Sequence, residues 1–140
     1  MELKLTIPTK AQILGGGFVV AVAAASASWS KAQLGVYARR KGVYVHHAHG
    51  EILYVGKTTT GAHGTFGERL RREFQVKASG NSDLHQLLAA QKPPVRTYCL
   101  DLQDLDMMVD QGAMSLSPER KALIMEQVLI GIYQPRGNRV

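Results

Sequence analysis

The chain has almost no cysteine: Cys99 is the single one in 140 residues, so no intrachain disulfide can form. That suits a reducing compartment and removes the disulfide-framed secreted domains from consideration. Acidic residues are also scarce, 11 against 17 Lys and Arg, which leaves a formal charge of +6. A surplus of that sign favours a polyanionic partner, nucleic acid first and an anionic membrane second. No low-complexity linker divides the chain, and the echo of Gly35-Val36-Tyr37 in Gly42-Val43-Tyr44 is too short for a structural repeat. No zinc-finger or helix-turn-helix pattern is visible. What remains is ordinary globular composition, 45% hydrophobic and 20% charged, which excludes disorder over the whole length. One domain of this size buries a core without staples.

The longest stretch without charge, Ala11 to Ser30, contains Ile13, Leu14, Phe18, Val19, Val20 and Val22, diluted by Gly15-Gly16-Gly17 and many Ala and Ser. It reads as a buried part of the fold, as a secretory signal near residues 11–28, or as a membrane span. The triple glycine and Glu2 fit insertion poorly. The expectation is therefore a cytoplasmic protein with no stable membrane association, export being the alternative.

From Gly42 the signals sharpen. Val43–Val45 and Ile52–Val55 read as two strands joined at His49-Gly50. Thr58–Gly64 reads as a loop, and a helix is expected over 65–77 with Leu70 and Phe74 inward. Asn81 or Ser82 caps a short helix carrying Leu84, Leu87 and Leu88, which Pro93-Pro94 ends. Val95–Leu100 is a third strand, followed by an acidic loop. Ser117-Pro118-Glu119 starts a last helix that runs to about Ile132. The expected fold is α+β: a small three-stranded antiparallel sheet flanked by helices, in the order strand, strand, helix, helix, strand, helix. It occupies residues 41–140, with residues 1–40 an N-terminal extension packed on it or leading into it.

Two motifs fail. Gly50 followed by Gly56-Lys57-Thr58 suggests a phosphate-binding loop, but five residues separate the glycines where four are needed, and they read as a strand. His46, His47 and His49 suggest a metal tract, but neighbouring strand residues face opposite sides and no cysteine is close. A solvated hairpin tip accounts for them.

One ordered set survives: Gly42-Val43-Tyr44, nine residues, Tyr54-Val55-Gly56-Lys57, then Arg69, Arg71 and Arg72 on one helix, Glu126 on the last helix, and Pro135-Arg136-Gly137-Asn138 at the end. In order and spacing this resembles the GIY-YIG endonuclease superfamily over about residues 42–138. The literal Gly131-Ile132-Tyr133 closes a helix and has no second tyrosine motif after it. Tyr37 lies too far from Tyr54 for the family's short hairpin.

The resemblance implies a divalent-metal-dependent endonuclease that hydrolyses DNA phosphodiester bonds to 5′-phosphate and 3′-hydroxyl ends. It makes Tyr44 the acceptor of a proton from the attacking water, helped by Lys57, with Tyr54 on the phosphate or the water. It sets Arg69 facing the scissile phosphate and Asn138 fixing geometry. Glu126, flanked by Leu123 and Ile130, is the metal ligand, and a lone carboxylate with waters and phosphate oxygens suits magnesium or manganese. Arg71 and Arg72 fall to the DNA-facing or solvent side. Arg39, Arg40 and Lys41 before the first strand, and Arg136 and Arg139 at the end, are candidate backbone contacts. The chain departs from the family at Glu73, where many members carry His or Tyr. That departure supports the competing expectation, a binding module of the same fold with weakened or lost turnover. Specificity is expected from the first forty residues, a loop, a homodimer partner or an additional subunit.

Overall fold

A computed structural model of the protein describes residues 2–16, 18–19, 34–59, 64–73, 82–91, 95–110, 112 and 115–138, without the side chains of residues 18, 19, 71–73, 82, 85 and 89. The elements are β1 (Lys4–Leu5), α1 (Lys10–Gly15), β2 (Phe18–Val19), a 3₁₀ turn (Gly35–Arg39), β3 (Gly42–Ala48), β4 (Glu51–Thr58), α2 (Phe66–Glu73), α3 (Ser82–Ala89), β5 (Arg96–Asp101), α4 (Leu102–Met108), β6 (Val109–Asp110), α5 (Pro118–Tyr133) and a 3₁₀ turn (Arg136–Asn138).

The α+β class stands, with β3 central between β4 and β5, all antiparallel. Three parts depart from the expected order. The sheet has a short fourth strand, because β2 pairs with Thr97 and Arg96 of β5. The acidic loop after β5 is in fact helix α4. Its charges are helix-compatible because Asp101 caps it, accepting from Asp104 N at 2.8 Å, while Asp104 accepts back from Asp101 N at 3.0 Å. Lys4–Leu5 pairs with Val109–Asp110, a second two-stranded ladder that ties the start of the chain to the end of α4. Residues 20–33, including Trp29, Val20 and Val22, lie outside the described residues, as do the expected helix beyond Glu73, the loop at 60–63, Asn81, Pro93-Pro94 and Arg139.

The hairpin turn falls where His49-Gly50 predicts it. Both residues have positive φ, 51° and 80°, the conformation whose twist matches that of the strands. Between His46 and His47 the register slips: His46 pairs with Tyr54 and His47 with Ile52, leaving Leu53 as an extra residue. This bulge resets the alternation of β4. Ile52 and Val55, three apart, face one side of the sheet, while Leu53 and Tyr54 belong to the other.

Two cores follow. On one side Tyr44, Leu53, Ala48 and Cys99 pack with Leu34, Phe66 and Leu70, and with Leu84 and Leu88 of α3. On the other Val43, Val45, Ile52, Val55 and Leu100 pack with Ile13 of α1, Leu105 of α4, and Ala122, Met125 and Leu129 of α5. Helix α5 starts as Ser117-Pro118 predicts, the serine hydroxyl accepting from Arg120 N at 3.3 Å. Lys121 is buried in it, and its ammonium is compensated at 2.7 Å by Asp106 of α4.

Burial pushes the Cys99 thiol well above the usual range, with the Asp101 carboxylate adding to the effect. The thiolate is the reactive form. Cys99 should therefore be silent to Ellman's reagent in the native protein and titrate as one thiol per chain in denaturant.

Candidate active site

Tyr44, His46, Tyr54 and Gly56 occupy one face of the β3–β4 hairpin. Tyr44 lies opposite Gly56 in the register, and a Cβ on Gly56 would overlap the Tyr44 hydroxyl and sit 2.8 Å from Tyr54 Cε2. The glycine of the second motif is thus the floor on which the Tyr44 ring lies. Around that ring, which is fully buried, stand Tyr54 at 6.1 Å, His46 at 5.1 Å and Phe66 edge-on at 6.3 Å between centroids.

Helix α2 brings a cation to this cluster. It begins where Phe66 N donates to Arg40 O at 2.8 Å. Phe66 and Leu70, one helical turn apart, enter the core and fix the rotation of the helix. Arg69 is thereby directed at the sheet, and its Nε reaches the Tyr44 hydroxyl at 3.5 Å.

Asn138 arrives from the other end of the chain. Its amide brackets Val55, accepting from Val55 N and donating to Val55 O, both at 2.8 Å. It closes the outer edge of β4 between Tyr54 and Gly56. Replacing Asn138 with alanine strands two part-buried backbone groups, and should lower stability by about 1–3 kcal/mol in urea unfolding. An unchanged midpoint would show that water replaces the amide at no cost.

Other expected residues lie elsewhere. Lys57 pairs with Val43, so alternation turns it to the opposite face from Tyr44. Glu126 is half-buried on α5, the helix that packs on that opposite face; its carboxylate accepts from Gln127 Nε2 at 3.2 Å, and it makes no described hydrogen bond or ion pair with Tyr44, Tyr54 or Arg69. Arg136 holds Glu51 with two bonds of 2.7 and 2.9 Å, which raise its pKa and fasten the C-terminal turn to the start of β4. Arg40 pairs with Asp101 at 2.7 Å. The side chains of Arg71, Arg72 and Glu73 lie outside the described residues.

The histidines are not a solvated tip. His46 and His47 are buried and only His49 is in the exposed turn. His46 stacks on Tyr54 at 6.0 Å and its Nδ1 is 2.8 Å from Thr97 Oγ1. His47 faces away, Nε2 toward Gly16 O at 3.3 Å, and burial lowers its pKa. The signal for His46 was available: it stands two residues after Tyr44, on the same side of a strand.

Among the described residues no three His, Cys, Asp or Glu side chains gather as a metal site, and no helix is long and apolar enough to cross a membrane. Comparison of the chain with protein-family models, with curated proteins and with solved structures gives no match.

Proposed function

We propose that the chain is a divalent-metal-dependent endonuclease that hydrolyses DNA phosphodiester bonds. The observation that carries this reading is the convergence of the Tyr44 hydroxyl, the Tyr54 ring and the Arg69 guanidinium over Gly56. A phenol beside a fixed cation is suited to take a proton from an attacking water, because the cation stabilises the charge left on oxygen. The guanidinium is suited to the charge that builds on the phosphoryl oxygens. Asn138 holds the outer edge of β4 at Val55, between Tyr54 and Gly56.

Glu126 is the residue that would hold the ion. Its carboxylate has a neutral amide partner, and one carboxylate completed by waters and phosphate oxygens is a donor set that magnesium or manganese accepts. Such an ion would supply charge stabilisation at the phosphate and at the leaving oxygen, but α5 packs across the sheet from Tyr44, so the described contacts do not bring Glu126 to the Tyr44–Arg69 cluster.

A second reading, a nucleic-acid-binding module without turnover, is favoured by specific observations. Tyr44 is wholly buried, and Glu126 is on a helix packed across the sheet from it. Glu73 in place of His or Tyr points the same way.

Supercoiled plasmid incubated with the protein in magnesium, manganese or EDTA separates the two. The nuclease reading expects nicking in either metal, none in EDTA, and none from Glu126→Ala. Salt-sensitive binding without nicking in any metal would move the assignment to the binding module.

A further inference from the structure

The first 3₁₀ turn, β5 and α4 frame an open cavity of about 330 Å³ that shares no residue with the candidate active site. Tyr37 of the turn, Tyr98 of β5, and Asp104, Met107 and Met108 of α4 line it. The three α4 residues are spaced i, i+3, i+4, so the helix presents them along one face while Leu105 enters the core. A largely apolar wall with a few polar groups, in a cavity of this size, is the ordinary form of a small-molecule site.

Two polar groups on this wall have bonding capacity to spare. Asp104 accepts from Asp101 N through Oδ2 at 3.0 Å, and no described residue bonds its Oδ1. The Tyr98 phenol makes no hydrogen bond with a described residue. Its ring is held all the same. It is half-buried against the core on the α5 side, and it is backed by Gly16, where a Cβ would lie 3.1 Å from its Cδ1.

The wall is acidic in a chain whose formal charge is +6. Burial, and next the Asp104 carboxylate, raise the pKa of both Tyr37 and Tyr98. Burial raises Asp104 itself, with the Asp101 carboxylate adding to it, and the same two causes raise Cys99 on the same wall. Each of these groups is disfavoured in its more negative form, and a bound cation reverses that direction. Arg40 is the one cation acting on Asp104 among the described residues, and it leaves the Asp104 pKa raised. Its guanidinium is already engaged, at 2.7 Å by Asp101 and at 5.2 Å over the Tyr37 ring, and it does not line the cavity.

We infer that this cavity binds a small organic ammonium ion with an apolar body, its nitrogen at Asp104 and the Tyr98 phenol, its carbons against the two rings and the methionines. An ammonium donates, and a carboxylate and a phenol oxygen accept. Aromatic faces attract a cation, and thioethers adapt to the shape of the carbons beside it. An anion would meet the Asp104 carboxylate, and a hydrocarbon would leave both oxygens without a donor. The inference goes beyond the nuclease reading and uses none of its residues.

The test is an NMR titration of protein carrying carbon-13 in its methionine methyl groups. The probes are phenethylammonium and its neutral counterpart phenethyl alcohol, at neutral pH, where the amine is protonated. The Met107 and Met108 signals, identified by single substitutions to leucine, should shift with the ammonium. The alcohol should bind about tenfold more weakly. Asp104→Asn should weaken the ammonium by about the same factor and leave the alcohol unchanged. The asparagine oxygen can still accept from Asp101 N, so the start of α4 is kept. Glu119→Gln, an equal charge change in the exposed first turn of α5, should alter neither ligand. No shift at Met107 and Met108 in tens of millimolar ammonium would overturn the site. Equal affinity for the two ligands in wild type, or equal weakening by the two variants, would overturn the recognition of charge. Should Asp104→Asn melt well below wild type, the two ligands compared in wild type decide alone.

Discussion

Gly42→Ala will leave a severely destabilised protein. Gly42 opens the central strand, paired on one side with Thr58 and on the other with Asp101. Its φ is 154°, and a Cβ there would overlap the carbonyl oxygen of Leu100 and lie 2.9 Å from Asp101 Cα. Both obstacles are backbone, so no side-chain rotation relieves them. Moving β5 away would break the β3–β5 ladder and displace Asp101, on which α4 and Arg40 both depend. A cost of about 3 kcal/mol or more is expected, a large share of the ~5–15 kcal/mol that holds a domain together. The melting temperature should fall by roughly 10 °C or more. A melt within a degree of wild type would mean that the strand absorbs the methyl group. Gly42 is the place where two strands come too close for a side chain.

Arg69→Ala should have the opposite profile, with the fold kept and the chemistry lost. Phe66 and Leu70 anchor α2, and Arg69 is only part-buried beside them. Stability should therefore change little. If the guanidinium stabilises charge on the phosphoryl oxygens, removing it should slow plasmid nicking by about 10²–10³-fold, as loss of one such donor does elsewhere. Arg69→Lys should recover only a small part, because an ammonium lacks the planar fork. Cleavage at the wild-type rate by either variant would remove Arg69 from the site. A large drop in melting temperature with proportional loss of binding would make it a structural residue.

Much of this architecture was legible because it rests on local chemistry. His49-Gly50 specifies its own turn, and Ser117-Pro118 specifies its own helix start. The grouping of Tyr44, Tyr54 and Arg69 was expected only from the family resemblance. In the structure it rests on the hairpin and on Phe66 and Leu70, whereas the inward pair read from the sequence was Leu70 and Phe74, the latter outside the described residues. What escaped was long-range or below the resolution of a pattern. The bulge at Leu53 has no composition signal, yet it decides which side of the sheet Ile52 and Tyr54 serve. The helix Leu102–Met108 was hidden because Asp101, Asp104, Asp106 and Asp110 look like a loop until the reciprocal cap between Asp101 and Asp104 is seen. The ladder Lys4–Leu5 to Val109–Asp110 joins segments a hundred residues apart. Motif order put Lys57 and Glu126 in one list with Tyr44, but the pleat turns Lys57 to the other face and α5 packs there too. The basic residues show the same gap: Arg40 and Arg136 read as open DNA contacts, while each is held by a carboxylate, Asp101 and Glu51.

If the chain is a nuclease, the Tyr44 hydroxyl is the group that would take the proton from the attacking water. Single-turnover nicking of supercoiled plasmid in magnesium by wild type and by Tyr44→Phe, with melting temperatures measured alongside, tests it most directly, since the substitution removes one oxygen and keeps the ring on Gly56. Tyr44→Phe should nick about 10²-fold or more slowly than wild type, in a protein of nearly unchanged stability. Equal rates in the two proteins, or no nicking by wild type in any metal, would contradict it.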